Sequence, residues 1–349
     1  MAAPVLHSKI RVYVDDVLTG SSTEIGNNVV FVRCQMERET AKGSFAITVR
    51  PEKTTTTFTN LWLQDVIPSI SKRIKLRAGY LLSGVENLTT IFRGIIKDRN
   101  SAWGRSGGGI NITGFDHADA LEQVTGTWSG TTYGTAKPLM IKILNDALLT
   151  EWNFDGFTDF SIAGVEFVND NGLQVFQRLK QYSQYSFYFD GLGTFVCRDI
   201  PTDTTTKYDY SNKGMNNIAF QFSSREIVSE VNVVGNGISV LRRTGLSDQQ
   251  TYGRKNQFLQ NSIITTTAEA EAAADKIISE SRKKNCNFQV PFNPYLVTDD
   301  IVAVTHEEIS GSVKYRVTGF THWFDGATAK TSISCEEVSP TVPATYTVA

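Results

Sequence analysis

Short segments in which polar and apolar residues alternate recur along much of the chain, and this period of two constrains the fold more than any other feature. Strand side chains point to opposite faces in turn, so each segment predicts a strand with one face available for burial. The segments lie at Lys9–Val14, Val29–Cys34, Ser44–Val49, Arg73–Tyr80, Thr90–Lys97, Gly109–Phe115, Ile218–Ser223, Val228–Val234, Asn287–Val290, Ile301–His306, Val313–Val317 and Thr331–Cys335. Their short spacing predicts a small sandwich or barrel.

Helical spacing interrupts the strands in the middle of the chain. Helices are predicted near Asp116–Val124, Gly134–Leu149 and Gly172–Ser183, followed by a hairpin over Phe187–Arg198. Another helix is predicted over residues 267–285, where an acidic first turn and a basic last turn suit the helix dipole. Leu241–Phe258 is polar and is predicted to be an exposed, mobile loop.

These patterns give a mainly β fold class with an α+β insert and four regions. The predicted regions are a first β-barrel at 1–115, an α+β middle domain at 116–216, a second β-barrel at 217–338 that includes the helix at 267–285, and a loose tail at 339–349.

One internal similarity joins the two ends of the chain. Phe92–Ile96 leads through a Gly/Ser-rich turn to Ile110–Thr113, and Tyr315–Gly319 leads through Asp325 and Gly326 to Ser332–Cys335. Both are aromatic-Arg strands followed by an alternating strand. We therefore expect the two ends to share one fold.

Composition excludes several classes of protein. The 349 residues carry 34 basic and 36 acidic side chains, so no strong positive field attracts nucleic acid. No run approaches the roughly 18 apolar residues of a membrane helix, and the first residues lack the apolar core of a signal peptide. We therefore expect a soluble chain made in a cytoplasm. The four cysteines lie far apart and are predicted to be buried thiols: Cys34, Cys197, Cys286 and Cys335.

A search for catalytic, cofactor or metal residues assigns none. His306 precedes two glutamates but no HExxH motif exists, so we interpret it as a strand end. Asp116 and Asp119 flank a helix start, where carboxylates usually cap the helix. The remaining histidines are His7, His117 and His322.

Two further clusters favour structural explanations. Arg105–Gly109 is rich in glycine but lies between strands and lacks the Lys-Ser/Thr of a phosphate loop, so we interpret it as a hairpin tip. An aromatic cluster could stack on sugars or bases, although its helix-to-strand position favours core packing. It consists of Tyr182, Tyr185, Phe187, Tyr188 and Phe189.

The order of motifs resembles the baseplate hub proteins of contractile phage tails. This group includes the phage T4 hub, the Mu-type hub and the P2-type late control D protein, and its relatives form the N-terminal part of type VI secretion spikes. The resemblance is carried by the helix at 267–285, Pro294–Leu296, Asp299–Val304, Tyr315–His322, Thr331–Cys335, Phe92–Gly94, Gly114–Asp116, Asn171–Leu173 and Ser223–Gly235. One departure is Asp299, which stands before Asp300 where the family usually has glycine.

The resemblance implies two similar tube-type β-barrels per chain and a homotrimer whose six barrels form a pseudo-sixfold ring. Such a ring adapts a hexameric tail tube to a trimeric cell-puncturing spike. The implied partners are the spike, the tail tube or a tube adaptor and other baseplate proteins. DNA would pass through the lumen without specific binding, and no membrane insertion is implied. The implied location is the virion tail baseplate, after synthesis in the host cytoplasm.

Three alternatives remain open at the level of sequence. The chain could be the hub of a related injection machine, such as a pyocin or a secretion spike. It could be a tail-associated peptidoglycan hydrolase, although no acid/base pair or Cys-His motif is evident and we expect no enzyme. It could be a carbohydrate-binding module that uses the aromatic cluster.

Overall fold

Antiparallel β-sheet makes up most of the computed structural model. The structure describes residues 7–16, 22–25, 29–38, 42–50, 72–82, 84–104, 107–180, 185–201, 204–211, 214–222, 226–261, 264–309, 311–326, 328–338 and 343–348. The mainly β fold class with an α+β insert and two similar barrel units is confirmed.

The strands of the first part of the chain are β1 (His7–Asp16), β2 (Ser22–Glu24), β3 (Val29–Glu37), β4 (Ser44–Val49), β5 (Lys72–Leu82), β6 (Val85–Gly104) and β7 (Gly107–Phe115). Those of the middle part are β8 (Thr125–Ser129), β9 (Trp152–Asn153), β10 (Glu166–Asn171), β11 (Tyr185–Phe189) and β12 (Phe195–Asp199).

The last part contains β13 (Tyr208–Ser211), β14 (Asn216–Gln221), β15 (Glu230–Val234), β16 (Ser239–Thr244), β17 (Asn256–Gln260), β18 (Asn285–Pro291), β19 (Ile301–Thr305), β20 (Ser312–Asp325), β21 (Thr328–Glu337) and β22 (Thr345–Val348). The helices are α1 (Ala118–Gln123), α2 (Gly130–Tyr133), α3 (Ala136–Asp146), α4 (Gly172–Leu179), α5 (Leu246–Tyr252) and α6 (Thr267–Glu280).

A single 13-stranded sheet joins the two ends of the chain. Its path runs β14-β18-β21-β20-β3-β4-β7-β6-β5-β1-β2, with β19 attached to β20 and β13 attached to β19. The first barrel unit is β1–β7, and the second is β13, β14 and β18–β21. The two units meet where β3 pairs with β20, and one apolar core lies under both of them.

The middle domain has an apolar core of its own. Helices α1, α3 and α4 pack against the strands β8–β12 around buried Phe and Leu side chains. Helix α4 begins at a capping box, in which Asn171 accepts a hydrogen bond from the Gln174 amide and Gln174 accepts one from the Asn171 amide. The three predicted helices of this region are present, with shorter bounds than predicted.

A small third unit is inserted into the second barrel unit. Strands β17, β15, β16 and β22 form a four-stranded sheet, and α6 packs on it through Ala270, Ala274 and Ile278. This unit has a core separate from the main sheet, so the predicted second barrel at 217–338 is interrupted. Helix α6 ends at Glu280, five residues before the predicted end.

Three predictions at the edges of regions were wrong. The polar segment Leu241–Phe258 contains β16, α5 and β17 and is not a loop, because its polar side chains lie on exposed faces of a small sheet. The predicted loose tail 339–349 contains β22, which pairs with β16. Strand β13 was assigned to the middle domain but pairs in parallel with β19 of the main sheet. In the described residues no helix is long and apolar enough to cross a bilayer.

Candidate assembly surface

The main sheet has one apolar face and one polar face across both barrel units. Cross-strand pairs such as Cys34 with His322 and Ile47 with Ile112 bury the same face on successive strands. The opposite face, called here the polar sheet face, carries Asn111 and Thr113 of β7, Ser44, Ala46 and Thr48 of β4, Arg33, Gln35 and Glu37 of β3, Thr321 and Trp323 of β20, Lys330, Ser332 and Ser334 of β21, and Asn287 and Gln289 of β18. Most of these side chains are small and uncharged.

The polar sheet face is ordered by one contact that crosses the junction between the two units and by two contacts within β3. Arg33 of β3 lies over the indole ring of Trp323 of β20, 4.7 Å from its centroid. The guanidinium of Arg33 also donates a hydrogen bond of 2.9 Å to the side-chain oxygen of Gln35. Gln35 in turn donates to Glu37. These contacts hold the largest side chains of the face flat along the sheet.

On the buried side, the same junction is closed by apolar and aromatic contacts. Seven residue pairs join β3 to β20, from Glu37 opposite Gly319 to Phe31 opposite Asp325. The ring of His322 packs between Phe292 and Phe320 at centroid distances of 5.1 and 4.9 Å. Burial lowers the pKa of His322 to about 3, so the imidazole is neutral at ordinary pH.

The two units repeat one strand order. In the first unit β5, β6, β7, β4 and β3 are neighbours in that order, and in the second β19, β20, β21, β18 and β14 follow the same order. Each long strand has one bulge against its hairpin partner, at Lys97 in β6 and at Thr318 in β20. The shared bulge fixes the alignment of the two units.

The bulge alignment corrects the one made from sequence. It pairs Ile112 with Ile333 and Ile96 with Val317, whereas the sequence similarity sets Ile112 against Ser334 and Ile96 against Gly319, one and two residues away. A slip of two residues leaves every side chain on the same face, so alternation alone cannot detect it.

A buried ionic cluster ties three parts of the chain together. The guanidinium of Arg38, at the end of β3, donates hydrogen bonds of 3.1 Å to Asp299 and 2.8 Å to Glu336 of the second unit. The hydroxyl of Ser186 in the middle domain donates to the other oxygen of Asp299 at 2.7 Å. Arg198 of β12 lies 3.6 Å from that oxygen. These residues form the Asp299 cluster.

The Asp299 cluster is electrostatically balanced. Burial alone would lower the pKa of Arg38, but Glu336 and Asp299 outweigh burial and raise it. Burial would raise the pKa of Glu336, but Arg38 and Lys283 outweigh it, and the pKa is lowered. Both groups are therefore charged in the folded chain, and each depends on the other.

The backbone at Asp299 has a conformation that favours glycine. Its φ is 71°, in the left-handed region that glycine adopts without strain. The turn therefore keeps the backbone of a glycine turn although the residue has a side chain. The carboxylate of Asp299 makes the contacts to Arg38 and Ser186 that a glycine could not make, and these contacts stabilise the strained residue.

Besides Asp299, which stands out as a departure from glycine, the sequence contains a signal for this cluster at Arg38. Val32, Cys34 and Met36 are the buried positions of β3, and Arg38 continues their period of two. A charged residue at a buried position predicts a buried partner. No sequence signal indicates that Ser186 and Arg198 join this cluster, because both lie in a hairpin of the middle domain, far along the chain from Arg38.

The carboxylates at the start of α1 are structural. Asp116 accepts hydrogen bonds from the amides of Ala118 at 3.0 Å and Gly43 at 2.6 Å, so it holds the first turn and ties it to the first unit. Burial raises the pKa of Asp116 to about 7. Asp119 pairs with Lys42 and Lys97. The N-cap residue itself is His117, which makes no side-chain capping bond.

The histidines are dispersed. His117 is buried with Nδ1 3.0 Å from the carbonyl oxygen of Gly193. His306 follows β19, and its Nδ1 accepts a hydrogen bond of 3.2 Å from the Glu308 amide. His322 lies in the main core, and of His7 only the backbone in β1 is described. Among the described residues no group of His, Cys, Asp and Glu is arranged to hold a metal ion.

The described part of the aromatic cluster lies in the core. Tyr185, Phe187 and Phe189 are buried in the middle domain, and the hydroxyl of Tyr185 donates to the Phe176 carbonyl at 2.8 Å. Tyr188 is also buried, and Tyr182 lies outside the described residues. Arg105 and Ser106 also lie outside them, between β6 and β7. The four cysteines are free and buried, as predicted.

A groove of about 590 Å³ separates the middle domain from the main sheet. Its lining includes Tyr188, Leu296 and Asp190. Burial raises the pKa of Asp190, but its carboxylate already accepts hydrogen bonds of 2.9 Å from the amides of Leu192 and Thr194. Asp190 therefore shapes the turn between β11 and β12.

Solved structures of tail proteins share this fold. The tail protein from Neisseria meningitidis MC58 has a TM-score of 0.70 at 10% identity, over 95% of this chain and 96% of that chain. The 43 kDa tail protein of prophage MuSo2 from Shewanella oneidensis has a TM-score of 0.64 at 14% identity, over 94% and 98%. No family model and no curated protein matches the sequence itself.

A secretion protein has the same fold. The E. coli c3393 protein has a TM-score of 0.54 at 10% identity, over 97% of this chain and 79% of that chain. It is a component of the type VI secretion system with structural similarity to the T4 tail proteins gp27 and gp5. The resemblance to baseplate hub proteins is thus confirmed at the level of the fold.

Proposed function

We propose that the chain is the structural baseplate hub of a contractile phage tail, in which three copies form a ring. The observation that carries this proposal is the fusion of two repeated barrel units through β3 and β20. Three such chains carry six similar units, which match a hexameric tube, while the threefold arrangement matches a trimeric spike.

The polar sheet face supports a channel function. Repetition of this face around a ring gives a lumen lined mainly by Ser, Thr, Asn and Gln side chains. Arg33 lies against Trp323 and Gln35, so its charge is held along the wall. Few cations are available to neutralise phosphates, and DNA would pass without tight binding. The apolar face is covered by the core and gives the wall its rigidity.

The location and partners follow from this role. The hub would sit in the tail baseplate of the virion after synthesis in the host cytoplasm, between the tail tube or its adaptor and the spike. Other baseplate proteins would bind its outer surface, and the chain would not insert into a membrane. No cofactor is needed for such a role.

A second candidate is the hub of a related contractile injection machine, such as a pyocin or a secretion apparatus. The observation that favours it is the shared fold of the E. coli type VI secretion component. The two candidates make the same ring and differ in what passes through it.

The mass of the purified chain tests the ring. Light scattering should give three times the 38.6 kDa of one chain, and cryo-electron microscopy should show a threefold ring with six similar lobes. If the chain remains a monomer, dimer or tetramer even in the presence of its cognate spike, the proposed hub function is contradicted. Co-purification with a particle that carries a capsid would favour the phage hub over the hub of a related injection machine.

We also propose that the chain has no enzymatic activity. Asp116, Asp190 and the Asp299 cluster are engaged in structural hydrogen bonds. A turbidity assay on purified peptidoglycan tests this proposal against the hydrolase alternative. Clearing of the suspension by the wild-type chain would overturn it.

A further inference from the structure

The junction inside the chain shows how one barrel unit joins the next. Strand β19 covers only the first half of β20, up to Arg316. Strand β3 of the other unit then covers the second half, from Gly319 to Asp325. The long strand β20 is thus shared by its own unit and its neighbour.

The equivalent long strand in the first unit is β6. Strand β5 covers it only from Val85 to Ile95, while β7 continues along it to Gly104. From Asn100 to Gly104, β7 is the only neighbour among the described residues. The strand equivalent to β3 is β14, which pairs with β18 and has no second neighbour in the described part of the chain.

One exposed apolar side chain, directly after β14, marks this edge as incomplete. The alignment of β4 with β18 makes Gln221 equivalent to Gln35 and Phe222 equivalent to Met36. Met36 is 7% exposed within the junction, whereas Phe222 is 46% exposed. An uncovered strand edge with an exposed aromatic side chain is a site for pairing with another chain.

We infer that β14 of one copy pairs antiparallel with the far half of β6 of the next copy. This inference rests on the proposed ring and names the strands that close it. The internal junction supplies the register: Gln35 lies opposite Thr321, so Gln221 lies opposite Asn100, and Ala219 lies opposite Ala102. The contact is head to tail and closes after three copies if each junction turns by the same angle.

A pair of cysteines tests the register. The variant Asn100→Cys with Gln221→Cys places two exposed thiols opposite each other across the proposed interface, and mild oxidation should convert most of the chain to a covalent trimer on a non-reducing gel. The four native cysteines are buried, so each single variant should stay uncrosslinked.

A second pair provides the matched control. Asp98→Cys with Ala219→Cys places the thiols four residues out of register, about 13 Å apart along the strands. This pair should not crosslink in a ring of the same mass. Equal crosslinking of both pairs would overturn the proposed register.

The outcomes separate this inference from the proposed function. A trimer by light scattering that gives no Asn100–Gln221 crosslink overturns the strand pairing and leaves the ring. A crosslinked ladder that extends beyond the trimer supports the pairing and contradicts the closed ring. A monomer at every concentration, with no crosslink, contradicts both.

Substitution of the exposed aromatic provides an independent measurement. Phe222→Asp places a charge at the position that Met36 occupies in the internal junction. Because Phe222 is exposed in the single chain, folding should be unchanged by circular dichroism. The trimer should dissociate at least about tenfold more readily, since an aromatic anchor at an interface is lost. An unchanged trimer would contradict the pairing.

Discussion

The two barrel units share five strands in the same neighbour order, yet they differ at the base of the central hairpin. In the first unit Ile95 lies opposite Phe115, and at the same position of the second unit Arg316 lies opposite Glu336. The first unit is thus apolar where the second is charged. The charged pair adjoins Arg38 and Asp299, where the middle domain docks. The repeated sheet is preserved, and the difference serves the attachment of another domain.

The units also differ in their additions. The first unit passes from β3 to β4 through a short connection, whereas the second inserts β15, β16, α5, β17 and α6 between β14 and β18. Strand β1 runs antiparallel to β5, whereas β13 runs parallel to β19. Additions at these positions leave the polar sheet face unchanged, because they attach to the outer strands β5 and β19 or lie in the connection between β14 and β18.

The largest expected effect comes from the cluster that is specific to the second unit. Arg38→Ala should lower the free energy of unfolding by about 3 kcal/mol, because it removes the shared cation from two buried carboxylates. The loss is at the lower end of the range for buried pairs, since Lys283 still lies 3.2 Å from Glu336. Urea denaturation measures it.

A half-buried pair of the first unit is the control for this prediction. Arg11 donates a hydrogen bond of 2.6 Å to Glu86. Arg11→Ala should lower the free energy of unfolding much less, because water screens this pair far more than the buried Asp299 cluster. If both variants lose the same free energy of unfolding, the Asp299 cluster stabilises the chain no more than the Arg11–Glu86 pair does.

The next effect depends on pH. The pKa of His322 is about 3 in the folded chain, against roughly 6.5 in the unfolded chain. Its contribution to stability is fully present above pH 6.5 and is lost as the pH falls towards 3, by about 1.4 kcal/mol per pH unit. The first unit has Ser101 at this position, which does not titrate. His322→Gln should therefore reduce the fall in urea midpoint below pH 6.5.

Asp116 provides a contrast of opposite sign. Its pKa is raised to about 7, so its contribution to stability is present below pH 4 and is lost as the pH rises through 7. Asp116→Asn should remove this loss and leave the acid-side fall of His322 in place. If the urea midpoint of Asp116→Asn does not fall towards acid pH, His322 is not the cause of the acid-side loss of stability.

The smallest effect tests the equivalence of the two units. Ile112 and Ile333 occupy the same buried position, and each should lose about 0.5–1.5 kcal/mol of unfolding free energy on replacement by valine. The two losses should agree if the units pack alike. Exchange of the polar neighbours, Thr113→Ser and Ser334→Thr, is the control and should change the urea midpoint little. If the two isoleucine-to-valine variants lose clearly different free energies of unfolding, the two units do not pack alike.

Alternation in the sequence determined the main strands, their buried faces and the similarity of the two ends. This worked because a half-buried strand records its two environments residue by residue. The capping boxes at Asn171 and Thr266 likewise mark the helix starts through local chemistry. The buried thiols also followed from sequence, since Cys34, Cys286 and Cys335 lie at apolar positions of strands.

Only the tertiary structure decided what depends on contacts between distant segments. The pairing of β3 with β20, the strand β22 and the two-residue register of the hairpins leave no mark in a pattern of period two. Asp299 meets Arg38 across 261 positions of chain, so no local spacing could predict that contact. Local patterns specify which face of a strand is buried, whereas the partner on that face is chosen by packing over the whole molecule.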